Sequence, residues 1–338
     1  MQMRKSIALS LMLLCSMGLI AGCGTKETPA TAVEKYPNKT ITLIVPYAAG
    51  GSNDMMVRAM EKVAQKHLGQ PVIIKNMPGG GGLLGWNELV ESEADGYTLG
   101  TVAPSALLHA MYGISGYHYP SALDPLVQVM ELPVVAVVRS DQPWNNMTDL
   151  IDFAKQYPEK IKFGHSGLGA ATHVVGEMVV LNSGANLVQV PFKGESESLA
   201  ALLGGHTQLM FCAPSTINEH VKAGKVKVLG VTSTKRMTDP MFSHVPTLQE
   251  QGIDVVFTFW YGLAAHKGMP PEIKAKLLAG LEKTVNDPEY MENMKKMGMD
   301  VEYLNHEDFF KKWLQETRRL QKVVKESGVA EKIAEQKK

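Results

Sequence analysis

The chain has 338 residues, and its 34 Lys and Arg residues balance 34 Asp and Glu residues. This length suffices for two domains, each with a hydrophobic core, and the balanced charge argues against a nucleic-acid-binding protein. Three cysteines are too few for a disulfide framework, so a small disulfide-stabilised scaffold is also excluded.

Residues 1–22 have the features of a lipoprotein signal peptide. Arg4 and Lys5 form a basic segment that an apolar segment follows. The residues LIAGC, which end at Cys23, resemble a bacterial lipobox, in which the cysteine is lipidated and starts the mature chain. Ordinary cleavage after a small residue is the alternative. Residues 23–36 then predict a flexible tether, and we expect an extracytoplasmic protein that a lipid on Cys23 anchors to the membrane.

Residues 41–67 predict a strand, a tight loop and a helix. The apolar run Ile41–Val45 fits a buried strand, and Ser52, Asn53 and Asp54 supply N-cap chemistry before a run of apolar residues at helical spacing. Unpaired N–H groups and partial positive charge at a helix start can bind an anion. A P-loop would need Lys after its second glycine, so a carboxylate is favoured over a phosphate. A βα turn without a ligand is the alternative.

A second glycine-rich loop spans residues 76–85 (NMPGGGGLLG). Gly80, Gly82 and Gly85 satisfy the dinucleotide-binding pattern G-x-G-x-x-G after a predicted strand. That fingerprint requires an acidic residue at the end of the next strand, where this chain has Thr101. We therefore predict no nucleotide cofactor, and we expect the loop either to form a wall of the binding cleft or simply to pack closely.

Predicted strands and helices alternate through the middle of the chain, which indicates an α/β fold with largely parallel sheets covered by helices. In the C-terminal third, Asn305 is predicted to cap a helix whose apolar face needs a sheet to pack against. The early sheet is the nearest candidate. We therefore expect one domain from residues 37–138 plus 256–338 and another from residues 139–255. Cys212 is predicted to be a small core residue.

The second domain has its own glycine loop, residues 164–173 (GHSGLGAATH), again between a predicted strand and a predicted helix. Ser166 and Thr172 offer hydroxyl groups, and the helix start offers N–H groups. An esterase elbow, G-x-S-x-G, would need glycine where Leu168 stands. The loop is therefore a second candidate for anion binding.

Two further features bear on this site. His173 and Glu177, four residues apart, supply only two metal ligands, with His165 as a third candidate, so we predict no metal. Lys193 and Gly194 follow another predicted strand, from which an ammonium group can reach an anion in the cleft. A solvated surface lysine is the alternative.

Several stretches together resemble the Bug family, the substrate-binding proteins of tripartite tricarboxylate transporters, over nearly all of the mature chain. They are VPYAAGGSND, NMPGGGGLLG, ADGYTLG, GHSGLGAATH, VPFKGESESLAALLGG, HVPTLQEQG and WYGLAAHKGMPPEI. The resemblance implies a periplasmic-binding-protein fold, with two α/β domains and a ligand cleft between them. It also implies a small carboxylate ligand, no enzymatic activity, and delivery to a membrane permease with a large and a small subunit. We expect a monomer.

The resemblance places the ligand in three loops. The implied ligand-binding residues are Tyr47, Ala48, Gly50, Gly51, Ser52, Asn53 and Asp54, then Ser166, Gly167, Gly169, Ala170, Thr172 and His173, and then Phe192, Lys193 and Gly194. The chain departs from the family at Ala49, where Pro is frequent, at His165 and Ala170, where Ser is frequent, and at Cys212, where Asp is frequent. These departures leave the identity of the acid open.

The leading hypothesis is a tethered receptor that closes its cleft around the ligand. Main-chain amides and hydroxyls would balance the buried charge, whose desolvation is otherwise costly. The alternatives are an exported hydrolase that uses Ser166 and His173, and a ligand-binding partner of a sensor kinase.

Overall fold

The computed structural model describes residues 35–113 and 115–336. The predicted signal peptide and lipobox, including Cys23, lie outside these residues. From Pro37 onward the chain forms one compact unit. None of the helices within the described ranges combines the length and the apolar character needed to cross a membrane.

The described residues form two five-stranded sheets. The strands are β1 (Ile41–Val45), β2 (Val72–Asn76), β3 (Thr98–Val102), β4 (Leu123–Pro133), β5 (Val135–Arg139), β6 (Ile161–His165), β7 (Leu187–Pro191), β8 (Leu209–Cys212), β9 (Val226–Val231) and β10 (Thr258–His266). The first sheet has the order β2-β1-β3-β10-β4 and the second has the order β7-β6-β8-β5-β9. The two sheets therefore have the same strand arrangement. In each, three parallel strands are followed by the strand that arrives from the other sheet and then by the strand from which the chain leaves.

Helices cover both sheets, and short 3₁₀ turns lie at 80–82, 214–216 and 249–251. The helices are α1 (Ser52–Leu68), α2 (Leu83–Glu91), α3 (Pro104–Met111), α4 (Tyr119–Ala122), α5 (Met147–Gln156), α6 (Ala171–Ser183), α7 (Glu195–Leu203), α8 (Asn218–Lys222), α9 (Pro271–Val285), α10 (Pro288–Lys296), α11 (His306–Ser327) and α12 (Val329–Gln336).

Both sheets are mixed, so the prediction of largely parallel sheets was wrong in this respect. β1 pairs in parallel with β2 and β3, and β6 pairs in parallel with β7 and β8. In contrast, β10 is antiparallel to β3 and β4, and β5 is antiparallel to β8 and β9. The parallel pairs come from βαβ units, whereas β5 and β10 enter their sheets from the other sheet and need no such crossover.

The chain passes between the sheets in two adjacent segments. Val134 alone separates β4 from β5, and the return runs from Thr232 to Phe257. The buried Thr232 joins the two segments: its N–H donates to the Val134 carbonyl at 2.9 Å, and its hydroxyl donates to the Phe257 carbonyl at 2.5 Å. The expected domain boundary after residue 138 would assign β5 to the first domain, but β5 belongs to the second sheet.

The C-terminal helices pack on the first sheet, as their apolar faces predicted. Trp260 of β10 meets Phe309 and Trp313 of α11 edge to face, with ring centroids 5.6 and 5.8 Å apart, and all three rings are buried. The side-chain oxygen of Asn305 accepts a hydrogen bond from the N–H of Asp308 at 2.9 Å, which confirms the predicted N-cap. Cys212 is buried at the end of β8 with a free thiol, as predicted.

Candidate carboxylate-binding site

A small cavity lies where loops from the two sheets meet. Its volume is about 30 Å³, which is room for one or two water molecules. Its lining comes from the ends of β1, β3 and β6, from the start of α7 and from β10. The lining residues are Tyr47, Ala48, Gly51, Ser52, Asn53, Asp54, Ala103, Pro104, Ser105, Ser166, Ala170, Ala171, Thr172, Glu195, Phe259 and Tyr261.

The structure brings many of the predicted site residues together at this cavity. Those that line it are Tyr47, Ala48, Gly51, Ser52, Asn53, Asp54, Ser166, Ala170 and Thr172. Those outside the lining are Gly50, Gly167, Gly169, His173, Phe192, Lys193 and Gly194. The Lys193 side chain is exposed. A role in ligand binding stays a prediction for both groups.

The start of α1 differs from the predicted cap. Gly51 is the N-cap residue, the helix begins at Ser52, and no side chain accepts a capping hydrogen bond from the first turn. The prediction that Ser52, Asn53 and Asp54 supply the N-cap of this helix was therefore wrong. Instead, the Asp54 carboxylate accepts a hydrogen bond from the Gly50 N–H at 2.9 Å, which fixes the loop before the helix. The N–H groups of the first turn lie beside the cavity.

Asp54 is held ionised by its neighbours. Burial alone would raise the pKa of this carboxyl, but hydrogen bonds from Arg58, Gly50 and Asn76 outweigh burial and lower the pKa. The Arg58 Nε donates at 2.8 Å and the Asn76 side-chain amide at 2.8 Å. Asp54 therefore acts as a structural anion that orients the loop, with its charge already balanced by the guanidinium of Arg58.

Asn53 is a buried amide with unused hydrogen-bonding capacity. Its exposed fraction is 4%, it lines the cavity, and neither its Nδ2 nor its Oδ1 has a hydrogen-bond partner within residues 35–113 and 115–336. Leaving a buried amide unpaired is unfavourable. Asn53 can therefore offer both a donor and an acceptor to a ligand in the cavity.

The start of α6 forms the opposite side of the cavity. Ala170 is the N-cap residue with extended backbone and no side-chain cap. The Thr172 hydroxyl oxygen accepts a hydrogen bond from the Ser166 N–H at 2.9 Å, which holds the loop against the helix. The Ala171 N–H donates to Ser105 Oγ at 2.9 Å, across from the first sheet. Two helix starts, those of α1 and α6, therefore face one cavity.

Sequence reasoning missed six of the lining residues: Ala103, Pro104, Ser105, Glu195, Phe259 and Tyr261. Ala171, which also lines the cavity, lies inside the predicted loop of residues 164–173. The three that follow β3 lie at the carboxyl end of a parallel strand, where α/β sheets bind ligands, so this rule could have found them. Phe259 and Tyr261 lie on β10, which the sequence did not predict as a strand.

Glu195 places a carboxylate inside the cavity. Its side chain is buried, and its oxygens accept hydrogen bonds from the Ala213 N–H at 3.2 Å, the Thr216 hydroxyl at 2.5 Å and the Ser52 hydroxyl at 3.1 Å. Burial raises the pKa of this carboxyl, and the hydrogen bonds from Thr216 and Ala213 oppose that rise. The bond to Ser52 connects the two sheets' loops directly.

The loops also contact each other outside the cavity. The Ala48 N–H donates to the Lys193 carbonyl at 3.2 Å, and the Ser196 hydroxyl donates to the Ala49 carbonyl at 2.7 Å. A Cβ on Gly167 would lie 2.6 Å from Gly81 Cα, so the second glycine-rich loop packs closely against the second sheet's loop. Gly81 is not among the residues that line the cavity.

Comparison with known proteins identifies the family. Residues 56–329 match the model of the tripartite tricarboxylate transporter family receptor, TctC. The chain belongs to this family. A curated relative of the TctC-family chain, the UPF0065 protein in the gbd 5′ region of Cupriavidus necator, is 32% identical over 311 residues, which cover 92% of this chain and 94% of the relative.

Solved structures confirm the periplasmic-binding-protein fold of this TctC-family chain. The structure of periplasmic binding protein BugD has a TM-score of 0.80 and 31% identity, covering 87% of this chain and 99% of that chain. An R. palustris protein with adipate has a TM-score of 0.80 and 27% identity, covering 87% and 98%. MatC from Rhodopseudomonas palustris with bound malate has a TM-score of 0.79 and 25% identity, covering 86% and 100%.

The buried His165 and His173 of this TctC-family receptor contact groups other than the Ser166 hydroxyl. His173 Nδ1 accepts a hydrogen bond from the Gly169 N–H at 3.1 Å, and its Nε2 lies 3.4 Å from Glu177 Oε1. In the part of the chain that the structure describes, no hydrogen bond joins Ser166 Oγ to a histidine. That part also has no group of three metal-ligating side chains placed to hold an ion.

His165 is a packed, neutral histidine. Its ring stacks on that of His173 with centroids 4.3 Å apart, and its Nε2 lies 2.6 Å from Gln189 Oε1. Burial, followed by the proximity of His173, lowers the pKa of His165 to about 3. His165 therefore contributes packing beneath the loop, and it is absent from the cavity lining.

Proposed function

We propose that this TctC-family receptor binds one small carboxylate in the cavity between the starts of α1 and α6. The observation that supports the proposal most is the convergence of two helix starts on one cavity beside the unpartnered amide of Asn53. N–H groups and positive helix ends stabilise negative charge. The adipate and malate in the two related R. palustris structures support a carboxylate as the ligand.

The proposed ligand-binding residues are those of the three predicted loops. Where these loops line the cavity they supply main-chain N–H groups and hydroxyls, and none of the described residues lining the cavity is Lys, Arg or His. Oriented amides can balance a buried carboxylate without a counter-ion. No metal or other cofactor is required for this chemistry, and we propose that the chain is a binding protein and not an enzyme.

We propose that two lobes close around the ligand. Each lobe is built on one sheet, with crossings at Val134 and between Thr232 and Phe257 that act as the hinge. The cavity of about 30 Å³ is too small to hold an acid of several carbons while the loops touch. Ligand binding therefore requires the loops to separate, and they close around the bound acid with a wider gap than they have here.

We also propose how the receptor works in the cell. A lipid on Cys23 anchors it on the extracytoplasmic side, where it acts as a monomer and delivers its ligand to the large and small subunits of a membrane permease. The family match to a transporter receptor supports the permease as partner. Palmitate labelling of cells that express wild-type protein or Cys23→Ser tests the anchor, because only the wild type should incorporate label and stay with the membrane.

The binding proposal is tested by isothermal titration of the purified mature protein after unfolding and refolding, which removes bound solutes. A panel of mono-, di- and tricarboxylates should include at least one acid that binds with a stoichiometry of one. The affinity of the Asn53→Ala variant for that acid should be lower than that of the wild type by about 10-fold or more. Asn182→Ala, a change at the end of α6 far along the helix from its start, is the control and should leave affinity unchanged.

The proposal fails if the folded protein binds none of these acids. Circular dichroism and a cooperative thermal transition establish folding in the same samples. It also fails if an acid binds but Asn53→Ala and Asn182→Ala have equal affinity, because the acid would then occupy another part of the molecule.

A further inference from the structure

The chain's own Glu195 carboxylate lies against the start of α1. Glu195 Oε2 is 3.1 Å from the Ser52 hydroxyl, and a Cβ built on Gly51 would lie 3.7 Å from the Glu195 Cβ. The Glu195 side chain therefore reaches across from the second sheet and occupies the place at which the α1 N-terminus would hold an anion.

The start of α6 is left as the place for an anion from solution. Ser166, Ala170 and Thr172 line the cavity there. Asn53 lies in the same lining, 4% exposed and with both amide atoms unpartnered among the described residues. This second observation is independent of the helix start and also indicates a polar ligand.

Resting on the proposed function, we propose that Glu195 stands in for one carboxylate of the ligand, so that the receptor selects small monocarboxylates with a hydroxyl or amino group. The ligand's single carboxylate faces the start of α6, and its hydroxyl or amino group lies beside Glu195 and donates a hydrogen bond to Asn53 Oδ1. Dicarboxylates are excluded because Glu195 already fills the space that their second carboxylate would need, and the Glu195 oxygens would repel that carboxylate.

The hydrogen bonds of Glu195 agree with this selection. Its two oxygens have about four acceptor positions, and the Ala213 N–H, the Thr216 hydroxyl and both the hydroxyl and the N–H of Ser52 occupy them. A second carboxylate has no proton to donate to these oxygens and would be repelled by them. The Asn53 side-chain oxygen, which has no partner among the described residues, provides the acceptor for the hydroxyl or amino group. The described residues that line the cavity include no cation that would stabilise a second negative charge.

Four acids of equal chain length test the selection: butyrate, 4-hydroxybutyrate, 4-aminobutyrate and succinate. Their affinities are measured by isothermal titration against the mature wild type, Glu195→Gln and Glu197→Gln. Glu197 is an exposed carboxylate on the same helix turn whose side chain accepts from the Lys193 N–H, so its variant is a matched control. The wild type and Glu197→Gln should bind 4-hydroxybutyrate or 4-aminobutyrate at least about 10-fold more tightly than succinate.

Glu195→Gln should remove this preference, because an amide can donate to the second carboxylate of succinate. Succinate should bind this variant about 10-fold more tightly than it binds the wild type. The inference is overturned if the wild type binds succinate as tightly as the hydroxy and amino acids, or if Glu195→Gln keeps the wild-type order. Failure of every carboxylate in the broad panel would instead overturn the proposed function.

Discussion

At the scale of the residue, Asp54 fixes the loop that precedes α1. We expect Asp54→Asn to lower the free energy of unfolding at pH 7 by about 1–3 kcal/mol, because the charged hydrogen bond to Arg58 is lost. The pKa of Asp54 is lowered in the folded state, so its stabilisation is present above the unfolded pKa of about 3.9 and is lost as pH falls through the folded pKa.

Urea denaturation at a series of pH values measures this difference. The gap between the wild type and Asp54→Asn should be constant above about pH 5 and should shrink as the pH is lowered further. Asp152→Asn, a change at an exposed position of α5, should have little effect at any pH. A gap that kept its full size at the lowest pH would show that the lost stability does not come from the ionised carboxylate.

The sequence predicted the glycine loops well because their chemistry is local. A strand, a pair of glycines and a helix start follow one another within residues 41–54, and nine of the sixteen predicted ligand-binding residues line the cavity. Glu195 could not be found in this way. Its carboxylate is in the cavity because Ser52, 143 positions away in the chain, lies opposite it, and a glutamate in the first turn of a helix is common for reasons unrelated to ligands.

At the scale of the element, α11 begins with a side-chain cap that can be tested. Asn305→Ala should destabilise the protein by about 1 kcal/mol, because the Asp308 N–H loses its acceptor. Asn305→Asp keeps a carboxylate oxygen at the cap and should preserve most of the stability. Thermal and urea unfolding of the three proteins provide the measurement, and equal loss in both variants would exclude a capping role.

Helices and parallel strands were predictable where periodicity was clear, and β4 and β10 were missed. β4 contains Pro125, which is unusual within a strand. Its pairing with β10 has register shifts between Tyr261 and Gly262 and between Leu263 and Ala264. β10 reads TFWYGLAAH and is buried on both faces, so it shows no alternation of polar and apolar residues. β4 and β10 pair with each other and pack against α11. Both strands therefore depend on contacts between distant parts of the chain.

At the scale of the whole molecule, the two sheets are connected by segments that meet at Thr232. Its hydroxyl and main chain bond both Val134 and Phe257, so the two crossings are tied to each other at one buried point. A connection of this kind restricts relative motion of the sheets to rotation about a short axis, as in hinge closure. The contacts between Ala48 and Lys193, and between Ala49 and Ser196, lie on the loops that such a rotation would separate.

A disulfide between the loops tests whether they must separate for ligand exchange. A Cβ built on Gly50 would lie 3.6 Å from the Ser196 Cβ, within the range of about 3.5–4.5 Å found in disulfides, and neither residue lines the cavity. We expect oxidised Gly50→Cys/Ser196→Cys, in a Cys23→Ser background, to slow uptake and release of a bound labelled acid by about 10-fold or more. Rapid filtration after mixing with the labelled acid, and after a chase with unlabelled acid, measures the rates of uptake and release.

Reduction of the same protein should restore the rates of the background protein, which separates the effect of the bond from that of the substitutions. Gly50→Cys alone measures the strain at this position, where φ is +87° and a side chain is unfavourable. Cys212 is buried at the end of β8 and should not compete for the new thiols. If the oxidised and reduced forms exchange ligand at the same rate, the acid enters without separation of these loops, and closure by rotation about Thr232 is not the route of binding.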